Sequence, residues 1–383
     1  MKKNFLEMYK NLISTPSISG LTGQINQSNL SIINLLANWL NDLGFDCQIN
    51  PLKTEKDKYN LIAKRGSGSG GLMLAGHTDT VSYDEHLWLT DPFKLIEKDN
   101  KLFGLGSIDM KGFFAFIIQA INNIDQENKS QKQPLIILAT ADEETSMAGA
   151  REIANDSSLK PKFCIIGEPT SMKPIYMHKG HLAVALKVIG KSGHSSEPGK
   201  GVNAIEVMYK VIANLIQLKT DLAEKYNNPH FCVPQPTLNF GHIHGGDNAN
   251  RICGCCELHM DIRPIPGLSI KELECLIFNA IQPINNEYPN SVEVVNLHEP
   301  IPAFTGQADS ELVLLSEKLS GNKSQSVNYC TEAPFFAALG CETIVMGPGS
   351  IEQAHQANEF LHMSEIKPTL RVLKQIIYKS CYS

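Results

Sequence analysis

A few short stretches of this 383-residue chain carry side chains able to bind a metal ion or move a proton. In His77-Thr78-Asp79 a histidine and a carboxylate stand two residues apart, so on extended backbone both point to one face and the aspartate can hold the imidazole. A metal-bound histidine commonly gives its second ring N–H to a carboxylate, which fixes the tautomer. A satisfied surface histidine is the plain alternative. Asp109 lies in Gly104-Leu105-Gly106-Ser107-Ile108-Asp109-Met110-Lys111-Gly112, a glycine-rich turn at a helix start. It reads either as an N-cap or as a carboxylate whose two oxygens bridge two cations. The spacing fits neither a P-loop nor a dinucleotide-binding turn. Glu143 and Glu144 end an apolar run, where adjacent carboxylates repel unless a positive charge stands between or beside them. One can bind a cation while its neighbour takes a proton from water; a solvated acidic turn is the alternative. Glu168, in Ile166-Gly167-Glu168-Pro169-Thr170, admits the same two readings, and His355 follows the last apolar run.

His77, Asp109, Glu144, Glu168 and His355 together offer nitrogen and oxygen ligands and no thiolate, a set suited to zinc, cobalt or manganese. These ligands exceed what one open catalytic zinc needs. Sharing Asp109 gives each of two ions three protein ligands, with the ions about 3.5–4 Å apart.

The elements that must position these groups follow from periodicity. Leu30, Ile33, Leu36, Trp39, Leu40 and Leu43 recur at helical spacing before Gly44, a terminator, so a helix is expected to open the fold. Leu72 to Ala75, Leu135 to Ala139 and Phe163 to Ile166 are short enough for buried strands, and Phe113 to Ile124 is apolar nearly all round, as in a helix packed on a sheet. The alternation predicts an α/β domain with a mostly parallel sheet flanked by helices, its chemistry outside the strands' carboxyl ends. From about Lys179 the pattern changes to alternating strands, Leu182 to Val188 and Leu258 to Ile262, around a helix from Val202 to Leu218. This predicts an inserted α+β domain over 179–300, with 1–178 and 301–383 forming the metal-binding domain. Helical and strand segments resume through Leu314, Phe335 and Ile344 to Met346.

Bulk properties narrow the partners. The length suits two domains. A net charge of −6 from interspersed acids and bases argues against nucleic acid or an anionic membrane and favours a small substrate. Lys2 and Lys3 begin the chain, but Glu7 and Lys10 interrupt the first apolar stretch, so no signal-peptide core is expected. Ten cysteines without framework spacing read as reduced thiols in a cytoplasmic protein. Cys253, Cys255 and Cys256 lack paired soft-metal spacing and are expected as strand thiols.

Gly76-His77-Thr78-Asp79-Thr80-Val81, Gly106-Ser107-Ile108-Asp109-Met110-Lys111-Gly112, Asp142-Glu143-Glu144 and Gly167-Glu168-Pro169-Thr170 resemble, in order, the signatures of the co-catalytic di-zinc aminoacylases, dipeptidases and desuccinylases. The resemblance spans nearly the whole chain. It implies that Asp109 bridges two zinc (or cobalt) ions, that His77 and Glu168 complete one site, and that Glu144 and His355 complete the other. It further implies Glu143 as general base, Asp79 as partner of His77, a lid domain through which two subunits pair, and His194, in Gly193-His194-Ser195-Ser196, as the residue stabilising the oxyanion across that dimer. Asn328-Tyr329-Cys330-Thr331-Glu332-Ala333-Pro334 and Gln353-Ala354-His355-Gln356 resemble the branch acting on N2-acetyl-L-ornithine, with Thr331 and Glu332 standing where desuccinylases carry a glycine-rich stretch. In that branch Glu332 is expected to meet the substrate's cationic δ-amine, and Asn250 and Arg263 to hold its carbonyl and carboxylate. A desuccinylase, a broad N-acyl-amino-acid hydrolase and a metal-dependent binding protein without catalysis are the competing readings. A serine hydrolase is disfavoured because Gly347-Pro348-Gly349-Ser350 lacks the nucleophile elbow.

Overall fold

The computed structural model describes residues 4–20, 23, 25–127 and 129–383, so Lys2 and Lys3 lie outside the described residues. The chain divides into two compact units, one of Met1–Tyr176, Gly306–Gln325 and Thr331–Ser383, the other of Met177–Thr305 and Ser326–Cys330.

In the first unit the strands Leu72–His77, Leu135–Thr140 and Phe163–Pro169 are buried along their whole length. Leu72–His77 pairs in parallel with both of the others, and Glu342–Gly347 extends the parallel set beside Phe163–Pro169. Strands covered on both faces need no polar alternation, which is why they read as continuous apolar runs. Tyr59–Arg65 and Asp46–Pro51 add to the edge antiparallel, so the sheet is mostly parallel at its centre only. The expected helix runs Leu30–Asp42, buries Ile32, Ile33, Leu36, Trp39 and Leu40, and is followed by Gly44 at φ +76°. It does not open the fold. Phe5–Ile13 is an earlier helix whose Phe5 and Tyr9 pack on Phe116. The Phe113–Asp125 helix buries nine side chains, including Phe113, Phe114 and Phe116, each worth about 1.5–3 kcal/mol.

The parallel set delivers its carboxyl ends to one edge. His77 is the last residue of its strand, Glu168 lies near the end of another, and Glu143 and His355 follow Thr140 and Gly347. Ligands of such sheets gather at this edge.

The second unit has an antiparallel sheet ordered Thr237–Gly245, Cys255–Arg263, Leu182–Ile189, Val292–Asn296. Burial alternates along Cys255–Arg263, and the inward residues Leu258, Met260 and Ile262 share a core with Val207, Val211, Leu273 and Ile277 of the Ala204–Lys225 and Ile270–Glu287 helices. Cys253 and Cys256 are buried in this core while Cys255 is exposed, and all ten cysteines are free thiols. Among the described residues no helix is long and apolar enough to cross a membrane.

Candidate metal centre

His77 is fully buried, and its Nδ1 lies 3.0 Å from the backbone oxygen of Asp79 and 3.6 Å from that residue's carboxylate. The closer partner makes Nδ1 an N–H donor, and Nε2 faces Asp109 Oδ1 at 3.2 Å and Glu168 Oε1 at 3.6 Å, where a proton or a metal must stand between them. Lone pair against carboxylate is repulsive unless a proton or a cation is shared. A second histidine repeats the pattern, with His355 Nε2 at 2.9 Å from Glu144 Oε2 and 3.4 Å from Asp109 Oδ2. Asp109 thus offers one oxygen toward each histidine.

Three groups have ligand atoms close enough together to hold an ion: His77, Asp109 and Glu168; Asp109, Glu144 and His355; and His77, Glu143 and Glu144. The donors fit a divalent cation on two further grounds. Glu168 Oε1 is buried without a hydrogen-bond partner. The acids also repel one another, at about 4 kcal/mol per unit-charge pair 4 Å apart near a protein surface. Burial, then the neighbouring acids, push the carboxyls of Glu143 and Glu168 well above the usual range, and burial with Asp109 pushes Glu144 up. Burial alone would lower His77, but hydrogen bonding to Asp109 and Asp79 outweighs it. Contacts with Asp109 and Glu144 raise His355 to about 11. Such a cluster holds its protons tightly until a metal replaces them.

The backbone around these ligands is held by groups that sequence reasoning missed. Asp79 holds more than an imidazole: its carboxylate accepts from the backbone N–H of Glu143 at 3.3 Å and Glu144 at 3.1 Å, so it orients the acidic pair. Asp142 sits at φ +57°, and its carboxylate is locked by buried Lys58 at 2.6 Å and by the Ser19 hydroxyl at 2.5 Å. His355 is also left-handed, at φ +58°. A non-glycine residue at such an angle costs about 1–3 kcal/mol and persists only where its surroundings impose it. Buried Lys111 donates to the backbone oxygen of Thr15, and burial lowers its pKa to about 8. The Glu359 carboxylate, also buried, accepts from the backbone of the Asp109 turn, and burial pushes it up to about 7. No spacing in the sequence distinguishes Lys58, Lys111 or Glu359 from solvated charges.

The residues expected to meet substrate are all engaged within the chain. Glu332 has no exposed surface; its Oε1 accepts from the Thr140 hydroxyl at 2.6 Å, Oε2 is buried without a partner, and burial raises it to about 7. Its charge acts on His77, Glu143 and Glu168, so it neighbours the cage. Thr331 is also buried, its hydroxyl accepting from Ala333 N. In the second unit, Arg263 spends its guanidinium fork on both oxygens of Asp261, at 2.9 and 3.0 Å, and His181 adds a 2.9 Å contact to the same carboxylate. A substrate carboxylate would have to displace or share that partner. His194 is exposed, with Nδ1 2.7 Å from the Ser196 hydroxyl, and exposed Asn250 accepts from Ser195 N through its backbone oxygen. The first unit thus gathers His77, Asp79, Asp109, Glu143, Glu144, Glu168 and His355, while His194, Asn250 and Arg263 belong to the second.

Relatives with the same organisation are known. The chain is 55% identical to an acetylornithine deacetylase of Proteus mirabilis, over 98% of this chain and 97% of the relative. It is 54% identical to one of Photorhabdus laumondii, over 99% and 98%. In structure it resembles a Staphylococcus aureus tripeptidase with a TM-score of 0.79 at 19% identity, covering 98% of this chain and 97% of the other. An M20 family metallo-carboxypeptidase of Sulfolobus solfataricus gives 0.78 at 17% identity, covering 98% and 99%. Residues 73–379 match the model of peptidase family M20/M25/M40, whose metallopeptidases use divalent metals. A histidine-and-carboxylate cage at the carboxyl edge of a parallel sheet, with these relatives across nearly its full length, makes the chain a member of peptidase family M20/M25/M40.

Proposed function

We propose that this chain is a two-metal amide hydrolase that converts N2-acetyl-L-ornithine and water to acetate and L-ornithine, a step toward arginine. One observation carries the two-ion reading: the Asp109 carboxylate turns Oδ1 to His77 and Oδ2 to His355. In it His77, Asp109 and Glu168 hold one ion, Asp109, Glu144 and His355 hold the other, and both are zinc or cobalt. The substrate follows the relatives named acetylornithine deacetylase.

Bound divalent ions would acidify a water molecule and polarise the acyl carbonyl. Glu143, beside the candidate ligands Glu144 and His77, accepts a proton from the attacking water and delivers it to the departing α-amine. Asp79 holds the Glu143 backbone during both transfers. The exposed His194 stabilises the tetrahedral oxyanion across a dimer. Pairing through the second unit is supported by its edge strand Val292–Asn296, whose Val294 and Val295 are exposed. Arg263 and Asn250 meet substrate once Arg263 shares its fork, and Glu332, with Thr331 beside it, answers the cationic δ-amine. Ten free thiols suit a cytoplasmic location.

The test compares deacylation of N2-acetyl-L-ornithine, N-succinyl-diaminopimelate and N-acetylmethionine by the metal-loaded protein. The expected kcat/KM favours the first by about 100-fold or more. A preference for the succinylated substrate makes the chain a desuccinylase, equal rates make it a broad acyl-amino-acid hydrolase, and no hydrolysis leaves a binding protein.

A further inference from the structure

Glu359 lies four residues beyond His355, is 1% exposed, and has no ion-pair partner among the described residues. Its carboxylate instead receives the turn that carries Asp109. Oε2 accepts from Gly106 N at 2.9 Å, while Oε1 accepts from Ile108 N at 2.7 Å, Asp109 N at 3.1 Å and the Ser107 hydroxyl at 3.2 Å. The Glu359 backbone oxygen adds a fifth bond, from Gly104 N at 3.0 Å. Three backbone donors converging on a charged acceptor make strong bonds, and Gly106 at φ +81° supplies the turn they require. A neutral amide in the same place would set its NH2 against one of those N–H donors.

One short segment therefore carries a candidate ligand, His355, and also grips the backbone of another, Asp109. We propose that Glu359 is a positioning residue that sets the spacing between Asp109 and His355 and so the affinity of the ion on the His355 side. The inference rests on the two-ion reading above. His77 and Glu168 stand on strands of the central sheet and keep their places without Glu359, so the other ion is less affected. Partners of this kind are typically worth 10–100-fold in metal affinity.

The test titrates the metal-free full chain with cobalt(II), following visible absorbance and heat. Wild type takes up two ions. The ion whose uptake is lost in His355→Ala is the His355-side ion, called the weaker ion here; in Glu359→Gln its uptake moves to about 10–100-fold higher cobalt, with an altered absorbance spectrum, while the other ion moves less. Ser107→Ala, which removes one donor, moves the weaker ion by about 2–10-fold and keeps the inference testable should Glu359→Gln not fold. Glu342→Gln is the stability control, because that carboxylate accepts from Leu312 N at 3.0 Å, away from the turn, and both ions keep their affinity in it. Unchanged affinity for the weaker ion in Glu359→Gln or in Ser107→Ala, or an equal shift in Glu342→Gln, overturns the inference alone. A wild type that takes up one ion removes the two-ion reading and this inference together.

Discussion

Glu143 and Glu144 are chemically identical and adjacent, so their surroundings must divide the work between them. Glu144 faces His355 at 2.9 Å and shares a candidate ion site with it and Asp109, whereas Glu143 has its backbone tied to Asp79 and its carboxyl pushed up by burial among other acids. Glu143 also shares a group with His77 and Glu144, so its freedom from the metal is open to measurement. Glu143→Gln is expected to keep both ions and to lose about 10²–10⁴-fold in kcat, the usual worth of a general base. Metal content by mass spectrometry beside steady-state rates checks this; near-normal turnover with two ions bound would remove Glu143 from that role. At this scale the ligand candidates were legible because only a few side-chain types bind hard or borderline cations. What was not legible is direction. Extended spacing put the Asp79 carboxylate beside His77, but the backbone oxygen of Asp79 is closer and the carboxylate turns to the next strand's loop. Nor does spacing show that Glu332 is buried or that Arg263 pairs with Asp261 before any substrate arrives.

Elements whose apolar period was strong matched their expected spans, as with Leu72–His77, Phe113–Asp125 and Leu182–Ile189. The Phe5–Ile13 helix was missed although Phe5, Met8, Tyr9 and Leu12 form one buried stripe, because so short a segment gives little periodicity to weigh. The Asp46–Pro51 strand is nowhere fully buried and carries polar residues, so its antiparallel pairing left no apolar run to read. Burial also gives one strand a pH dependence. His178, in Ile175–His178, is fully buried beside Phe304, and burial lowers its pKa to about 4. The unfolded chain, with an ordinary pKa near 6.5, takes this proton first as pH falls. The contribution of His178 to stability is therefore full above about pH 6.5, declines as pH falls toward 4, and amounts to about 3 kcal/mol at most. Urea unfolding at pH 7 and pH 4.5 should show a smaller acid loss in His178→Phe than in wild type. Equal losses would mean that the buried ring does not govern this window.

At the scale of the whole molecule the candidate metal cage lies in one unit and His194, Asn250 and Arg263 in the other, because the second interrupts the chain of the first. Composition favours a small substrate over nucleic acid, but nothing in it reports how many copies assemble. The units change over at 176/177 and 305/306, and Ser326–Cys330 joins the second, whereas the change in sequence texture marked 178/179 and 300/301. Short returning segments such as Ser326–Cys330 leave no periodic signal of the unit they join. The central claim is that separated histidines and acids converge to hold two divalent ions that this chain uses to deacetylate N2-acetyl-L-ornithine. The most direct measurement restores metal-free protein stepwise with zinc(II) and plots acetate released against ions bound per chain. The account predicts no turnover in the chelated protein and full turnover at two ions. Hydrolysis that survives complete metal removal, or a chain that binds two ions and leaves N2-acetyl-L-ornithine intact, would contradict it.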